Sequence, residues 1–495
     1  MLNFFNTSEE LAESSIDTAV LPLGSVEPKG PHLPTGFDFL LAHRFSRDFC
    51  TGKAVYLLPV FPFSTAMETR GFCGTVSLRQ QTLWDIVSDT ASNLARHGFK
   101  RLVILNFSNY NWILKHAVRE LNLDKGEIQA VWVNPKEFAR AAAAPEMLPD
   151  NGGGAVETSL AFWLGGQKSL SPLEDFIPDR PREYIDYLGL AALAPKGFWG
   201  KPSLATAKIG KRLYGEMMEK TVTFVNYALG LFPGGRPIET RTGAEKWWPK
   251  GEIPGVENAG VDWNTPGSGM IGPQLNLAIL PTSAVEQHSP CLPLATDYLQ
   301  AVEKARGVAE ELNAHLLPAL PVVTSWCHLR FRGTLTFRAM TVRRMIEDIA
   351  ESLYHGGCRT VVLVNNHGGN WVLKPTMIEI NQKHGPFRII STEDLLSYRG
   401  QANVEQLHAS ESESSFIQAF YPEFFRADRV VDFSPQCPAS AFDFVGIGGV
   451  SPRGVWGFPS RGTAEKGQRD LQKKVSDAAG YIRRVLKDMD GSRKS

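Results

Sequence analysis

The sequence predicts an α/β fold with mostly parallel sheets, and it predicts that this fold is built twice in one chain. The chain has 495 residues, more than one hydrophobic core usually organises, so two or more domains are expected. Apolar runs alternate with segments of helical periodicity in both halves. Strand–helix–strand units of this kind imply a parallel sheet with helices on both faces.

An internal repeat is the strongest of these observations. The stretch VEPKGPHLPTGFD is matched by VEQHSPCLPLATD, which places Glu27 opposite Glu286 at an offset of 259 positions. The same offset relates CGTVSL to RGTLTF and LNFSNYN to VNNHGGN, and it drifts to 256 between Glu157 and Glu413. Chance does not hold one offset across several landmarks, so we interpret the chain as a tandem duplication.

Each unit has the order strand, helix, strand. AVLPLGS and LAILPTS predict the first strands, because both are apolar runs that end in small residues. LRQQTLWDIVSDTASNLARHGF and FRAMTVRRMIEDIAESLYHGG predict helices, the second of which is stopped by a pair of glycines. RLVILN and TVVLVN predict the strands that follow.

The repeat divides the chain into three predicted parts. Residues 1–231 form a first domain and residues 275–495 a second one. Residues 232–274, rich in Gly, Pro and Trp, are predicted to be a linker with an irregular excursion. Its three tryptophans, Trp247, Trp248 and Trp263, are expected to pack onto a neighbouring surface.

Composition excludes several classes of protein. Lys+Arg and Asp+Glu both total 52, which argues against a broadly basic nucleic-acid binder or a polybasic membrane-surface protein. The six cysteines are scattered without a CxxC pair, so neither a disulfide framework nor a zinc ribbon is expected. Because no signal peptide and no membrane span are evident, a cytoplasmic location is expected.

Polar clusters follow the predicted strands of the second unit. Ligands gather at the carboxyl ends of strands in open parallel sheets, and imidazoles together with carboxylates form the donor set that suits Zn, Mn or Fe. The candidate residues are Glu286, His288, Asp297, His367, His408 and Glu413.

Each of these residues also has a purely structural interpretation. A single histidine at a strand end is usually a hydrogen-bonded loop residue. Glu411 and Glu413 suit the solvated start of a helix, since acidic side chains favour helix N-termini. The repeat favours the functional interpretation, because every cluster falls on a landmark shared by both copies.

The motifs of the second unit resemble those of a known family. VEQHSPCLPLATD, FRGTLTF after His328, NNHGGN, HASESESS and GVWGFPSRGTAEKG are similar, in order and spacing, to the successive motifs of the creatininase (creatinine amidohydrolase) family. Both halves resemble that family, over nearly the whole chain apart from the linker. The resemblance implies a three-layer α/β/α fold in each unit and a two-metal hydrolase site that attacks C–N bonds, mostly of cyclic or unusual amides.

Residue roles follow from the same resemblance. Glu286, Asp297 and His367 would hold one divalent ion, and His288, Asp297 and Glu413 would hold the other, so that Asp297 bridges two Zn, Mn or Fe ions. His408 would act beside the substrate as an acid or an orienting group.

A small-molecule substrate is expected to contact Trp326, His328 and Arg330. Arg330 and Arg332 further suggest that the substrate is anionic. Creatininase itself has a glutamate at the position of Gly369, which argues against creatinine as the substrate.

The first unit keeps its carboxylates but loses each imidazole. Lys29 stands for His288, and Ser108 and Gly152 replace the other two histidines. An ammonium group among converging carboxylates would offset their repulsion, so we expect Lys29 to form a buried salt-bridge core and this unit to bind no metal. The alternative is that Lys29 points to solvent. Homo-oligomers are expected, and the first unit is expected to supply pocket walls in place of a neighbouring subunit.

The sequence therefore predicts a metal-dependent amidohydrolase that cleaves a C–N bond of a small cyclic amide, formamide or peptide-like substrate in its C-terminal half. Two alternatives remain open at this stage. One is a metal-dependent isomerase or lyase acting on a small polar carbonyl compound, and the other is a non-catalytic metal-binding scaffold.

Overall fold

The computed structural model describes residues 1–126, 128–165, 172–240, 263, 275–384, 387–392, 405–439 and 441–491. Within these residues, each half of the repeat forms its own parallel sheet with flanking helices. The predicted α/β class and the tandem arrangement of two units are therefore confirmed.

The N-terminal unit has a five-stranded sheet in the order β1-β3-β2-β4-β5. Its strands are β1 (Leu2–Asn3), β2 (Thr18–Leu23), β3 (Tyr56–Leu57), β4 (Arg101–Asn106) and β5 (Gln129–Val133). Its helices are α1 (Ser8–Ala12), α2 (Phe37–Cys50), α3 (Gln80–Arg96), α4 (Leu114–Glu120), α5 (Pro135–Ala142), α6 (Ala155–Gly165), α7 (Ile185–Leu188), α8 (Leu190–Leu193) and α9 (Ala207–Gly230).

The C-terminal unit has a four-stranded sheet in the order β7-β6-β8-β9. Its strands are β6 (Leu277–Thr282), β7 (His315–Leu316), β8 (Thr360–Asn365) and β9 (Arg388–Ser391). Its helices are α10 (Thr296–Leu312), α11 (Ala339–His355), α12 (Leu373–Lys383), α13 (Glu411–Phe420), α14 (Ala441–Val445), α15 (Ile447–Val450) and α16 (Ala464–Gly491).

Strand register is the same in the two units. Thr18 of β2 pairs with Arg101 of β4, and Leu277 of β6 pairs with Thr360 of β8, so both partners are displaced by the 259 positions of the repeat. The predicted strands and helices all form, and the second predicted helix ends at Gly356 and Gly357 as expected.

Alternating strand side chains place a helical layer on each face of the C-terminal sheet. Ile279 of β6 packs in a buried cluster with side chains of α10 and α16. Its neighbours Ala278 and Leu280 point the other way, into the main core that contains buried side chains of α11 and α12. The main core also includes residues of the N-terminal unit, so one continuous apolar interior joins the two units.

The two units meet through α3 and α11, with polar contacts that repeat in both directions. Asp348 of α11 accepts hydrogen bonds from the backbone N–H of Arg79 at 2.8 Å and from the Thr82 hydroxyl at 2.6 Å. The Arg79 guanidinium also pairs with this carboxylate.

The equivalent residues make the same contacts in the opposite direction. Asp89 of α3 accepts from the backbone N–H of Arg338 at 2.9 Å and from the Thr341 hydroxyl at 2.7 Å, and the Arg338 guanidinium lies 2.6 Å from it. The units are therefore related by a local twofold arrangement, in which each supplies the partner that the other needs.

Trp263 is the one described residue of the segment 241–274. It is buried and packs edge-on against Phe39, with ring centroids 5.1 Å apart, which confirms that this tryptophan packs onto a neighbouring surface. Trp247 and Trp248 lie outside the described residues. Because most of this segment lies outside the described residues, the domain boundaries at residues 231 and 275 remain predictions.

Two further expectations concern the whole described chain. No described helix has the length and apolar character needed to cross a membrane. All six cysteines are free thiols, as expected from their scattered positions.

We predict that Asp348→Ala and Asp89→Ala destabilise the protein to a similar extent, by about 1–3 kcal/mol each, because each leaves buried donors unpaired. Denaturant unfolding measures both values. Glu379→Ala is the control, since its exposed carboxylate pairs with Arg343 at the surface of the C-terminal unit. Equal stability of all three variants would contradict the proposed importance of these contacts.

Candidate metal centre

Six side chains of the C-terminal unit converge at the carboxyl edge of its sheet. Two follow β6, one lies in the first turn of α10, one follows β8, and two lie at or just before the start of α13. In chain order they are Glu286, His288, Asp297, His367, His408 and Glu413. All except the partly buried Glu413 are buried.

Glu413, in the first turn of α13, is both a helix-capping residue and a candidate metal ligand. Ser410 is the N-cap, and its backbone N–H donates to Glu413 Oε2 at 2.7 Å in a capping box. The other oxygen, Oε1, lies 3.6 Å from His288 Nε2. Glu413 is therefore a helix-capping residue that still presents one free carboxylate oxygen to the cluster.

Potential metal ligands fall into two groups that share Asp297. In the first group, His367 Nδ1 lies 3.0 Å from Asp297 Oδ2 and 3.5 Å from Glu286 Oε1. In the second group, His288 Nε2 lies 3.5 Å from Asp297 Oδ1 and also faces Glu413. The two Asp297 oxygens thus face different histidines, which is the arrangement needed for a bridging carboxylate. The ligand atoms of each group lie within 4.8 Å of one another.

Hydrogen bonds to the backbone determine which nitrogen of each histidine faces the cluster. His288 Nδ1 donates to the Glu286 carbonyl at 3.0 Å, which leaves Nε2 free. His367 Nε2 donates to the Thr324 carbonyl at 2.8 Å, which leaves Nδ1 facing the cluster, within hydrogen-bond distance of Asp297 Oδ2. Orientation of metal-binding imidazoles by backbone carbonyls is the usual outer-shell arrangement around protein metal sites.

The electrostatics of the cluster favour a cation. His288 Nε2 and Glu286 Oε2 are buried without a hydrogen-bond partner. Burial raises the pKa of Glu286 to about 7. Burial alone would lower the pKa of His367, but the negative charges of Glu286 and Asp297 raise it to about 9. Carboxylates that hold positive charge this strongly, beside an unsatisfied imidazole nitrogen, fit a site for divalent metal ions.

A second layer of imidazoles borders the two groups. His408 Nε2 donates to the Gln287 carbonyl at 2.7 Å, and its Nδ1 lies 3.9 Å from Glu286 Oε1. His328 Nε2 lies 3.3 Å from the same Glu286 oxygen. Burial, followed by the charge of His288, lowers the pKa of His408 to about 3. His408 also forms a third possible ligand group with Glu286 and His288.

A cavity of about 1140 Å³ opens onto this cluster. Trp326 and His328 line it as predicted, and Trp326 remains 52% exposed at its wall. All the described residues that line the cavity lie between Glu286 and Lys474. The expectation that the N-terminal unit supplies pocket walls is therefore not met within the described residues.

Neither of the two arginines near His328 is among the described residues that line the cavity. Arg330 is not among the described residues that line the cavity, because its exposed guanidinium donates to the Gly448 carbonyl at 2.7 Å. Arg332 points to the N-terminal unit, where it donates to the Leu11 and Ser14 carbonyls at 3.0 Å. Substrate binding by Arg330 remains a prediction, and Arg332 serves the contact between the units.

Sequence reasoning missed Lys474, which is the sole lysine or arginine among the described lining residues. It lies on α16, and its ammonium group donates to Ser412 Oγ at 3.3 Å and Gln300 Oε1 at 3.4 Å. Burial lowers its pKa. Spacing could not reveal this residue, because it lies 61 positions beyond the last ligand motif on a helix without other site residues.

Gly369 has a packing reason for lacking a side chain. A Cβ at this position would lie 2.7 Å from the Thr324 carbonyl oxygen and would also collide with the His367 ring. The position that carries a glutamate in creatininase is therefore occupied by backbone that approaches a proposed ligand too closely for any side chain.

The N-terminal unit keeps the same loop without the histidine. Asn106 Nδ2 donates to the Ser108 carbonyl, just as Asn365 Nδ2 donates to the His367 carbonyl, both at 2.9 Å. The backbone scaffold has thus survived the loss of the imidazole.

Lys29 is fully buried among three carboxylates of this unit. Its Nζ lies 2.7 Å from Glu27 Oε1, 2.8 Å from Asp38 Oδ2 and 3.2 Å from Glu157 Oε2. Burial alone would lower the pKa of Lys29, but these carboxylates raise it well above its usual value. The predicted salt-bridge core is confirmed, and the alternative that Lys29 points to solvent is wrong.

A second buried ammonium group, which the sequence did not indicate, completes this core. Lys136 Nζ lies 2.6 Å from Asp38 Oδ1 and 2.8 Å from Glu157 Oε1. The two oxygens of Asp38 therefore contact different lysines, just as those of Asp297 face different histidines. Two ammonium groups neutralise the carboxylates that correspond to the proposed two-metal ligands.

A parallel α/β unit that gathers imidazoles and carboxylates at the carboxyl ends of its strands has the architecture of a metal-dependent hydrolytic enzyme. The chain belongs to the creatininase family: the family profile, described as creatinine amidohydrolase, matches residues 6–225 and again residues 271–482. This double match confirms the resemblance seen in both halves.

Curated relatives are similar to single units of the chain. A mycofactocin precursor peptide peptidase of Mycobacterium ulcerans (strain Agy99) is 28% identical over 225 residues, which cover 43% of this chain and 87% of the relative. Creatinine amidohydrolase of Pseudomonas putida is 27% identical over 231 residues, which cover 41% of this chain and 88% of that relative. A 3-dehydro-scyllo-inosose hydrolase of Thermotoga maritima is 22% identical over 252 residues, which cover 44% of this chain and 78% of that relative. These names confirm the chain as a hydrolase.

Solved structures of the same family are also similar. A putative creatinine amidohydrolase from Bacteroides fragilis is 24% identical with a TM-score of 0.39, covering 46% of this chain and 96% of that one. A creatininase is 23% identical with a TM-score of 0.37, and the match covers 42% of this chain and 90% of that one. Related creatininase structures include a mutant of Zn-Zn type and a Mn form.

We predict that Lys29→Met destabilises the protein by about 3–5 kcal/mol, because it leaves buried carboxylates without one of their cations. Denaturant unfolding measures the change, and Glu27→Gln in the same chain should recover part of it by removing one negative charge. Lys196→Met is the control, since its ammonium group pairs with Glu174 at the surface and its loss should change nothing measurable. A Lys29 variant as stable as that control would contradict the proposed role.

Proposed function

We propose that the C-terminal unit is the catalytic half of this amidohydrolase. In this proposal it cleaves a C–N bond of a small cyclic amide, formamide or peptide-like substrate with the help of two divalent ions. The observation that supports it most is the pairing of ligand groups around Asp297, which contrasts with the two lysines at the equivalent place of the other unit.

The proposed ligands are Glu286, Asp297 and His367 for one ion, and His288, Asp297 and Glu413 for the other. Zn²⁺ or Mn²⁺ bound there would supply a water molecule that is acidic enough to ionise near neutral pH and a Lewis acid for the substrate carbonyl. The protein's own contribution is to fix the carboxylates and the free imidazole nitrogens before the substrate arrives.

His408 is the proposed proton carrier. Its Nε2–H is committed to the Gln287 carbonyl, so Nδ1 is the atom that faces the cluster and the cavity. A departing nitrogen needs a proton, and an imidazole at this place can orient the substrate or pass a proton to that nitrogen. His328 contacts Glu286 Oε1 and so helps to hold that carboxylate in place.

The proposed substrate class follows from the cavity and the relatives. A cavity of about 1140 Å³ accommodates a molecule larger than a single small lactam. The backbone packing at Gly369 leaves no room for the glutamate of creatininase, so creatinine is disfavoured. Relatives that are named as peptidase and as creatinine amidohydrolase support amide-type bonds.

A second candidate is chemistry on a small polar carbonyl compound, such as isomerisation or elimination. The similarity to a 3-dehydro-scyllo-inosose hydrolase supports the inclusion of such compounds in a substrate screen. A non-catalytic metal-holding scaffold is less well supported, because a large cavity opens directly onto the proposed ligands. Homo-oligomer formation, a cytoplasmic location and the use of iron remain predictions.

We predict that protein purified without chelators carries about two divalent ions per chain. Glu286→Gln combined with Asp297→Asn should reduce this content to near zero, whereas Glu27→Gln should leave it unchanged, because we propose that the N-terminal unit binds no metal. Elemental analysis measures the metal content of the wild type, the double variant and the Glu27 variant. Ions that persist in the double variant would contradict the placement of both sites.

We also predict that turnover of an amide substrate in ¹⁸O-labelled water places the label in the new carboxylate product. A screen of lactams, formamides, small peptides and polyhydroxylated ketones should be followed by mass spectrometry of the products. His408→Ala should lower kcat by about 10²–10⁴-fold while metal content is retained. Turnover without incorporation of solvent oxygen would favour the isomerase or lyase alternative and contradict hydrolysis.

A further inference from the structure

We propose that Glu10, which belongs to the unit without the histidines, is a positioning residue for the metal ligands of the other unit. The residues between His288 and Asp297 are here called the ligand loop (residues 288–297). The inference depends on the proposed function because those two residues are proposed ligands. It adds a role for the N-terminal unit, which contributes none of the described cavity lining.

The first link runs through Arg426. Glu10 Oε1 accepts a hydrogen bond from Arg426 Nε at 2.7 Å. The backbone N–H of the same arginine donates to the Cys291 carbonyl at 2.9 Å. Arg426 is buried, and its guanidinium also donates to Glu10 Oε2 at 3.4 Å and to the Glu423 carbonyl at 3.1 Å. The Glu10 carboxylate thus acts, through Arg426, on the middle of the ligand loop.

The second link runs through Asn6. Glu10 Oε2 accepts from Asn6 Nδ2 and from the backbone N–H of Thr7, both at 2.9 Å. The Asn6 carbonyl accepts from the backbone N–H of Leu294 at 3.0 Å. The two oxygens of one carboxylate are therefore connected to two points of the ligand loop, three residues apart.

The ligand loop depends on such outside contacts because little of it is regular secondary structure. Ser289 has a positive φ of 68°, which is uncommon for a residue with a side chain. Within the ligand loop, no residue before Thr296 belongs to a helix or a strand. Packing adds to the hydrogen bonds, since the Phe4 ring lies edge-on to Tyr298, the residue after Asp297, at 5.9 Å.

The aromatic packing of this arrangement recurs in the opposite direction. Trp263 corresponds to Phe4, and Phe39 corresponds to Tyr298, each at an offset of 259. Trp263 packs edge-on against Phe39 at 5.1 Å, and its carbonyl accepts from the backbone N–H of Gly36 at 2.9 Å. Each unit therefore has its loop held by the segment that leads into the other unit.

Because the ligand loop carries His288 at one end and Asp297 at the other, its position sets the distance between an imidazole and the bridging carboxylate. Contacts beyond the ligands themselves typically tune metal affinity by 10–100-fold. The N-terminal unit would therefore contribute to metal binding through Glu10, although it lines no described part of the cavity and is itself proposed to bind no ion.

Glu10→Gln tests this role in the full-length protein. A glutamine has one oxygen and one NH₂ group, so at one of the two positions the donors of Glu10 would meet a nitrogen that cannot accept, and the negative charge facing Arg426 is lost. Glu13→Gln is the matched control. Glu13 pairs with Arg429 at 3.0 and 3.1 Å at the surface, at the same sequence separation, and neither of those two contacts reaches the ligand loop.

Two measurements are needed. Without added metal, hydrogen exchange of a peptide containing residues 289–294 should be on the order of fivefold faster in Glu10→Gln than in the control. In a titration with Mn²⁺ or Zn²⁺, the Kd of Glu10→Gln should rise about tenfold, and that of Glu13→Gln should equal the wild-type value. Arg426→Lys, which keeps the charge but loses the planar guanidinium, should change both quantities in the same direction by a smaller factor.

Exchange and metal affinity in Glu10→Gln that both equal those of the control would overturn the positioning role while leaving the proposed function intact. A lower melting temperature with unchanged metal affinity would likewise overturn it, because it would show a purely structural contact. Faster loop exchange in a protein whose wild type takes up no metal would support the positioning of the loop and would instead refute the proposed function.

Discussion

Three carboxylates that converge at one point of each unit require positive charge, and the design of both sites depends on this requirement. Burial of carboxylates without compensation is costly, and mutual repulsion adds to that cost. In the N-terminal unit, Lys29 and Lys136 supply the charge as permanent parts of the chain. In the C-terminal unit, the corresponding space is lined by imidazole nitrogens that can bind an ion. One scaffold therefore carries two solutions to the same electrostatic problem.

The fold and most of the candidate site could be predicted from the sequence because they follow from local patterns that the repeat shows twice. Apolar runs defined the central strands, and polar residues just after those strands necessarily lie at one edge of a sheet. Lys136 could not be found in this way, because it contacts Asp38 across 98 positions of sequence and belongs to no shared motif. Arg330 lies outside the described cavity lining, because closeness to His328 in sequence does not determine the direction of a long side chain.

The N-terminal unit has kept its structural contacts although it lacks the imidazoles of the other unit. Its sheet, its loop around Asn106 and its half of the shared core are intact. Its first residues lie against the loop that joins two proposed ligands of the other unit. Selection on such a unit acts through packing and hydrogen bonding, which explains how imidazoles could be exchanged for lysine, serine and glycine while the surrounding backbone stayed the same.

The reciprocal contacts between α3 and α11 have a consequence for what a single unit could do alone. Arg338, Thr341 and Asp348 of the C-terminal unit occupy the same places as Arg79, Thr82 and Asp89 of the N-terminal unit. Two copies of either half would therefore present self-complementary surfaces to each other. Fusion of the halves into one polypeptide replaces a concentration-dependent association with a covalent one. One half can then diverge in sequence while it stays packed against the other.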